Sequence, residues 1–260
     1  MYQTIRVEHR EAVATVWLDR PEVHNAFNEL LIEELDVAVA DLEADPRVRV
    51  VVLGGRGNNF CAGADLHWMR RAAAATEEQN LLDAQRFAAM LRRIATLSKP
   101  TVARVQGAAM GGGVGLAAAC DICIADDQAS FCMTEVRLGL TPAVISPYVI
   151  RAIGARQALR YMQSAERVDA KRAQHLGLVH ELATGGSLDE CVAGICRELC
   201  IGSPAAQAAA KALVLANAAG AIDDAALDRS ARAIARQRAS PEAREGIAAF
   251  LAKRKAAWRV

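Results

Sequence analysis

Apolar residues alternate with polar ones at the start of the chain and then recur at helical spacing. The alternation over residues 5–18 predicts two strands joined by a hairpin around residues 9–11. Pro21 ends the second strand, because proline cannot donate a hydrogen bond to a ladder. Asn28 then precedes apolar residues that repeat every three or four positions as far as Leu42. This spacing predicts a helix with an asparagine near its start.

The same succession of strand and helix continues downstream. The β-branched runs Val48–Leu53 and Thr101–Val105 predict buried strands, and Leu81–Leu97 between them predicts an amphipathic helix. A small helix over Leu116–Ala119 and a strand over Ile122–Ala125 follow. Strands that alternate with helices through short loops predict an α/β core in which both faces of the sheet are covered.

The pattern changes at about Ser203, beyond which no strand is predicted. The helices predicted there cover residues 205–219, 222–236 and 241–257. Such a helical region needs a surface to pack on, which either the core or another subunit supplies. We therefore divide the chain into a core of residues 1–200 and a C-terminal helical region of residues 201–260.

Composition narrows the functional classes. The chain has 260 residues, of which 53% are hydrophobic and 23% charged, a balance typical of a globular protein with a real core. A net charge of +1 gives no electrostatic reason to expect nucleic acid as a partner. The longest apolar stretch, Val114–Cys120, is too short to span a membrane, and no secretory signal is visible. The seven cysteines have no disulfide-rich spacing, and we expect a cytoplasmic protein with no membrane partner.

Two segments rich in small residues directly follow two of the predicted strands, at residues 59–65 and 107–115. Small residues let a ligand approach the backbone, and a helix that begins after such a turn leaves N–H groups unpaired. Two such ends can converge on one oxygen, as in an oxyanion hole. Two other interpretations stay open. In the first, the glycines serve packing alone. In the second, residues 113–118, which match GxGxxA, bind a dinucleotide, and Glu135 is the acidic residue downstream.

Three further kinds of site have little support in the sequence. The chain contains no GxxxxGK[ST] phosphate loop and no GxSxG nucleophile elbow. Cys120 and Cys123 have CxxC spacing, but no second pair or nearby histidine completes a zinc site. We therefore expect no metal.

Seven segments spread over the chain form an ordered set of motifs. They are Arg20–Ala26, Phe60–Leu66, Gly107–Gly113, Ala119–Ile122, Arg137–Pro142, Ala173–Val179, and Arg244–Ile247 with Phe250 and Lys253–Lys255. In order and spacing they resemble the enoyl-CoA hydratase/isomerase (crotonase) family. The resemblance implies an α/β fold, the crotonase (ClpP-like) spiral of repeated ββα units with a C-terminal helical trimerisation region. It also implies an acyl-CoA thioester substrate and a homotrimer or a dimer of trimers.

The resemblance also assigns roles to individual residues. It implies that the N–H groups of Ala64 and Gly112 form an oxyanion hole for the thioester carbonyl. The residues that it implies for coenzyme A binding are Ala62, Ala64, Asp65, Leu66, His67 and Gly112, together with Phe250 and Lys253 from a neighbouring subunit. Coenzyme A is then part of the substrate, and no separate cofactor is expected.

One position departs from the pattern of the family. Hydratases of the family commonly use two glutamates, of which one is present as Glu135 while Gly115 stands at the place of the other. The resemblance implies a hydro-lyase that adds water across the 2,3-double bond of an enoyl-CoA, or the reverse dehydration, in fatty-acid or branched-chain acyl-CoA catabolism. Glu135 is then the catalytic acid and base.

Two alternatives to hydration stay open. A Δ3,Δ2-enoyl-CoA isomerase needs only one glutamate, and a non-catalytic acyl-CoA-binding homologue needs none. Residues 113–116 and 141–148 resemble a bacterial subgroup of methylglutaconyl-CoA hydratase-like enzymes. A carboxylated substrate of that kind would require a cation, for which Arg70, Arg71 and Arg86 are candidates.

Overall fold

A computed structural model describes residues 2–218 and 220–259 of the chain. The strands are β1 Ile5–Arg10, β2 Val13–Leu18, β3 Val50–Gly55, β4 Thr101–Val105, β5 Ala108–Met110, β6 Ile122–Asp126, β7 Ser130–Cys132, β8 Val168–Asp169 and β9 Glu181–Ala183. The helices are α1 Glu29–Ala44, α2 Leu66–Ala74, α3 Glu77–Thr96, α4 Gly112–Ala119, α5 Ser146–Ser164, α6 Ala170–Leu176, α7 Leu188–Ile201, α8 Pro204–Asn217, α9 Asp224–Arg238 and α10 Pro241–Leu251. Short 3₁₀ helices cover Pro21–Val23 and Glu135–Leu138.

A six-stranded sheet in the order β1-β2-β3-β4-β6-β9 forms the centre of the molecule. The hairpin β1–β2 is antiparallel, and every other pair in this sheet is parallel. One face packs against α1, α3, α4 and α5 in the main core, and α7 covers the other face through Leu188, Val192 and Cys196. Both faces are therefore buried, as the unbroken apolar runs of β3 and β4 predict.

A second, shorter layer gives the fold its spiral. In it β5 pairs in parallel with β7, and β7 pairs with β8. Single parallel bridges extend this layer from Cys61 to Ala109 and from Ala64 to Phe27. Each turn of the chain thus places one strand in the large sheet, one short strand or bridge in the second layer, and then a helix. The predicted spiral of repeated ββα units is confirmed.

The third strand was predicted two residues too early. Val48 donates its N–H to Asp45 and closes a turn, so β3 begins at Val50. The strand continues through Gly54 and Gly55, beyond the predicted end at Leu53. A Cβ at Gly54 would lie 2.6 Å from a ring carbon of Trp17 on the neighbouring strand. The glycine is there to accommodate this ring and does not end the strand.

Two predicted helices begin earlier in the structure. Helix α3 starts at Glu77 because Thr76 and Gln79 form a capping box, a signal that the apolar periodicity does not contain. Helix α4 starts at Gly112 and not at Leu116. Its first turn lies against the loop after β3, since a Cβ at Gly113 would lie 2.7 Å from the carbonyl oxygen of Cys61. Glycine is therefore the residue that lets this helix begin where it does.

The C-terminal region is helical as predicted, with different bounds. The last helix ends at Leu251 and not at residue 257, because Lys253 adopts a left-handed conformation and the chain turns back. The Trp258 indole then donates to the carbonyl oxygen of Ile201. Residue 219, the predicted end of the first of these helices, lies outside the described residues. The division of the chain at residue 200 stays a prediction.

The structure also bears on the predictions about membrane-spanning segments and about cysteines. No single helix in the described part of the chain is long and apolar enough to cross a membrane, and α7 and α8 reach that size only together, across a bend of 105°. All seven cysteines carry free thiols, and five are buried. Burial raises the pKa of Cys61 and of Cys123 to about 12, so neither is a reactive thiolate at neutral pH.

Candidate active site

The peptide that joins Gly63 to Ala64 lies just beyond the carboxyl end of β3. Phe27 donates its N–H to the carbonyl oxygen of Gly63 at 2.7 Å, and Asp65 donates to the carbonyl oxygen of Phe27 at 2.8 Å. Because a trans peptide directs its C=O and N–H to opposite sides, the Ala64 N–H points away from Phe27. It donates to no acceptor within residues 2–218 and 220–259.

The peptide that joins Gly111 to Gly112 is arranged in the same way at the start of α4. The Gly111 carbonyl oxygen accepts the N–H of Val114 at 2.9 Å and so points into the helix. The Gly112 N–H therefore points out of the helix N-terminus, where the macrodipole adds positive potential. A Cβ at Gly63 would lie 3.1 Å from the carbonyl oxygen of Met110. The two turns are in contact, so both unpaired N–H groups lie in one small region.

Glu135 brings a carboxyl group to the same turn. It begins a short 3₁₀ helix, and its Oε1 lies 3.1 Å from the place that a Cβ at Gly111 would take. Its Oε2 is buried and forms no hydrogen bond with any described residue. Burial raises the pKa of the Glu135 carboxyl above its usual range. A buried, unpaired carboxyl with a raised pKa is suited to exchange protons with a bound molecule.

Two aromatic rings pack against Gly112. A Cβ at Gly112 would lie 3.0 Å from Phe87 Cζ and 3.2 Å from Phe27 Cδ2, and the two ring centroids are 5.1 Å apart. Apolar walls of this kind strengthen an interaction with an N–H group, because they keep competing water away. Neither ring belongs to the motifs that the sequence presents. Phe87 lies on a predicted helix, but periodicity does not indicate which backbone group a side chain covers.

The structure also explains the missing carboxylate. A Cβ at Gly115 would lie 2.1 Å from Ile145 Cγ2. Ile145 therefore occupies the place where a second acidic side chain would begin. The carboxyl that the structure does bring to this part of α4 is that of Glu135, whose Oε1 lies beside Gly111.

Comparison with known proteins agrees with this geometry. The family model for enoyl-CoA hydratase/isomerase matches residues 8–260. The chain belongs to this family. It is 42% identical to an enoyl-CoA hydratase from Shewanella pealeana, whose crystal structure superposes with a TM-score of 0.96 and coverage of 98% of this chain and 96% of that one.

Two curated relatives show the range of chemistry in the family. Crotonyl-CoA hydratase of Syntrophomonas wolfei is 32% identical over 98% of this chain and 97% of its own. The 4-chlorobenzoyl coenzyme A dehalogenase-1 of an Arthrobacter species is 34% identical over 75% of this chain and 71% of its own. Members of the enoyl-CoA hydratase/isomerase family thus act on acyl-CoA thioesters, and their reactions differ.

Three of the residues predicted to bind coenzyme A lie on an open surface beside Ala64. Ala62, Leu66 and His67 are exposed, and Leu66, at the first position of α2, is 71% exposed. The Ala62 carbonyl oxygen accepts no hydrogen bond within the described residues, which leaves it available to a ligand. Their roles in binding coenzyme A stay predictions.

Asp65 is held differently from its neighbours. It is 6% exposed, its Oδ1 accepts the N–H groups of His67 and Trp68 at the start of α2, and its Oδ2 accepts from Arg20 at 2.9 Å. Burial alone would raise its pKa, but the hydrogen bonds from Arg20 and from the helix lower it overall. In this structure the carboxylate caps a helix and fixes the Ala64 turn, and it does not point to the solvent.

Phe250 and Lys253 lie far from the Ala64 turn of their own chain. Phe250 is 81% exposed on α10. The end of the chain is fixed at Arg49, which donates to the carbonyl oxygens of Trp258 and Gly202 just before β3 begins. Ala64 follows the opposite end of that strand. A contact between these two residues and coenzyme A would therefore involve a neighbouring copy.

Most of the arginines considered for a carboxylated substrate already have partners. Arg71 forms a forked pair with Glu29, with N–O distances of 2.7 Å, and Arg86 lies 3.5 Å from Asp83. Arg70 is exposed on α2. The structure thus gives no preference for a carboxylated acyl group.

A cavity of about 620 Å³ lies at the other end of α4 and is bounded by α5 and α8. Its lining includes the ion pair of Lys211 with Asp121, at 2.8 Å, and the exposed guanidinium of Arg151. Neither the two unpaired N–H groups nor Glu135 contributes to it. This cavity is separate from the candidate active site.

Replacing Asp65 with Ala is expected to destabilise the protein by roughly 3 kcal/mol, because it leaves the largely buried Arg20 guanidinium with the Ala26 carbonyl oxygen but without its carboxylate partner. Chemical denaturation at neutral pH measures the loss. The matched control is Asp228→Asn, which breaks the exposed pair with Arg232 and is expected to cause no resolvable change. Equal effects of the two variants would contradict a supporting role for Asp65.

The raised pKa of Glu135 predicts a stability gain on neutralisation. The folded state binds the proton more tightly than the unfolded state. The free energy of unfolding therefore decreases as the pH rises above the ordinary glutamate value of 4.5. Glu135→Gln is therefore expected to melt at a higher temperature than wild type at about pH 8, with a smaller difference at about pH 5. Calorimetry checks this, and Glu198→Gln, the same substitution at an exposed position of α7, is the matched control. A wild-type protein that melts higher at both pH values would contradict the assignment.

Proposed function

We propose that the protein is an enoyl-CoA hydratase, which adds water across the 2,3-double bond of an enoyl-CoA thioester or catalyses the reverse dehydration. The observation that carries the proposal is the Glu135 carboxyl, whose Oε2 is buried without a hydrogen bond, beside two unpaired N–H groups, at Ala64 and Gly112. The names of the hydratase relatives support the same reaction.

The proposed reaction uses Glu135 twice. Its carboxylate takes a proton from water while the oxygen of that water bonds to C3 of the acyl group. The electron pair of the double bond moves to the thioester oxygen, and the enolate is bound by the Ala64 and Gly112 N–H groups. The protonated Glu135 then returns its proton to C2, which gives the 3-hydroxyacyl thioester and restores the carboxylate.

Product analysis in ¹⁸O-labelled water tests the proposal. Purified protein is incubated with straight, branched and carboxylated enoyl-CoA esters, and the products are analysed by mass spectrometry. Incorporation of one labelled oxygen that depends on Glu135 is the expected result. Tight binding of every thioester without any turnover would contradict it and favour a non-catalytic acyl-CoA-binding protein.

A second candidate function is double-bond isomerisation of a 3-enoyl-CoA. The specific observation in its favour is that Ile145 fills the place of a second carboxylate and leaves Glu135 alone. One base can take a proton from C2 and return it to C4 through a dienolate bound by the same two N–H groups, without water. A shifted double bond with no gain in mass would identify this reaction in the same experiment.

The proposal includes assembly into a homotrimer or a dimer of trimers. In such an assembly Phe250 and Lys253 of one copy approach the coenzyme A of another, which accounts for the 81% exposure of the phenylalanine. Exposed apolar side chains on α9 and α10 support the same arrangement, since Leu227 and Ile247 are both more than half exposed. A monomer in sedimentation at micromolar concentration would contradict it.

A further inference from the structure

The side chain of Ile145 leaves no room for a side chain at position 115. A Cβ at Gly115 would lie 2.1 Å from Ile145 Cγ2 and 2.7 Å from Ile145 Cβ, well inside the ~3.5 Å at which carbon atoms make contact. Ile145 is 2% exposed and branched at Cβ, which restricts the rotation of its side chain. Rotation would in any case leave its own Cβ in place.

Ile145 and Glu135 face the same short stretch of α4. Residue 115 lies one turn beyond Gly111, since its N–H donates to the Gly111 carbonyl oxygen at 3.4 Å, and one turn advances the helix by about 5.4 Å. Glu135 Oε1 is next to Gly111. The isoleucine and the carboxyl are also joined through one segment, in which Leu140 donates its N–H to the carbonyl oxygen of Glu135 at 3.0 Å.

This arrangement has a chemical consequence. An isoleucine side chain neither donates nor accepts hydrogen bonds, so it cannot orient a water molecule. A carboxylate that filled the same space would both bind a proton and hold a water molecule. The surface beside Glu135 therefore offers a reacting water no second protein partner at position 115.

We propose that Ile145 is a specificity-determining residue, which keeps a second carboxylate and its water out of position 115 and so confines proton transfer at the acyl group to Glu135. The inference rests on the proposed function, because it concerns how that site handles an enoyl-CoA. It predicts that the volume of residue 145 sets the ratio between addition of water and migration of the double bond.

The packing part of the inference is tested at Gly115. Gly115→Ala adds only the Cβ that meets Ile145, and it is expected to lower the melting temperature. The loss is expected to be relieved in the double variant with Ile145→Gly, measured against Ile145→Gly alone. It is expected to persist with Ile145→Val, which keeps both blocking atoms. Gly115→Ala with wild-type stability, or equal rescue by valine and glycine, overturns the inference.

The chemical part is tested by product ratios. Ile145→Ala and Ile145→Val are incubated with 2-enoyl- and 3-enoyl-CoA esters in ¹⁸O-labelled water, after circular dichroism has established that both fold. Alanine is expected to raise the ratio of hydrated to isomerised product by about tenfold over wild type, because it admits a water that can take part in proton transfer. Valine, which keeps Cγ2, is expected to stay within about twofold of wild type.

The outcomes separate this inference from the proposed function. Turnover by wild type with the same product ratio in both variants overturns the role of Ile145 and leaves the proposed function standing. A wild-type protein that turns over none of the thioesters overturns both. A ratio that rises with alanine and not with valine supports the role of Ile145, and addition of water by the wild type supports the proposed function.

Discussion

Replacing Glu135 with Gln is expected to lower turnover of an enoyl-CoA thioester by about 10²- to 10⁴-fold, the usual contribution of a general acid or base. The amide keeps the size of the side chain but cannot take a proton from water or return one to carbon. Glu135 Oε1 lies beside Gly111, and position 115 carries no carboxylate that could replace it. Steady-state rates with the best substrate from the thioester panel measure the effect.

The pH dependence of the rate distinguishes a chemical role from a structural one. The base form of Glu135 is needed first, and burial raises its pKa above the ordinary 4.5. Wild-type kcat/KM is therefore expected to fall on acidification at a higher pH than an ordinary glutamate would give. The residual activity of Glu135→Gln is expected not to show this decrease at acidic pH. A variant that folds, binds the thioester and keeps the wild-type rate would exclude Glu135 as the catalytic residue.

Local sequence patterns were sufficient to predict the helices and strands. They were also sufficient to predict those residues of the site that belong to motifs. Apolar periodicity with an asparagine cap predicted α1, whose Asn28 side chain accepts the N–H of Leu31. The resemblance to the family indicated Glu135, and the structure brings its carboxyl to Gly111 as a shared site requires. In these cases the signal lies within a few neighbouring residues.

The features that sequence analysis missed depend on residues distant in the chain. Gly54 appeared to end a strand because nothing nearby indicates that Trp17 covers it. The role of Asp65 as a helix cap was not predicted, because its partner, Arg20, belongs to a different motif. Gly115 appeared to be only a missing glutamate until Ile145 was seen to fill its place. A glycine in a sequence shows that a side chain is absent but not what stands in its space.

Replacing Ala64 with Pro is expected to lower kcat by about 10²- to 10³-fold, because it removes one of the two proposed oxyanion donors. Proline has no N–H, and its ring carbon would lie where the hydrogen now points. Proline cannot adopt a positive φ, and Ala64 does not have one. The lost N–H bonds to no other described residue, so the folded state gives up no internal hydrogen bond. Rates are compared with the melting temperature of the same preparation.

Ala64→Ser is the matched control, since it changes the side chain and keeps the N–H. It is expected to stay within about threefold of the wild-type kcat, because the donor acts through the backbone. The enolate carries more charge than the ground-state carbonyl, so loss of the donor should affect kcat more than the binding of a saturated acyl-CoA. Equal losses in the serine and proline variants would indicate that the side chain, or the packing of the turn, matters and not the N–H. An Ala64→Pro protein with the wild-type kcat would remove Ala64 from the mechanism and leave Gly112 as the single backbone donor.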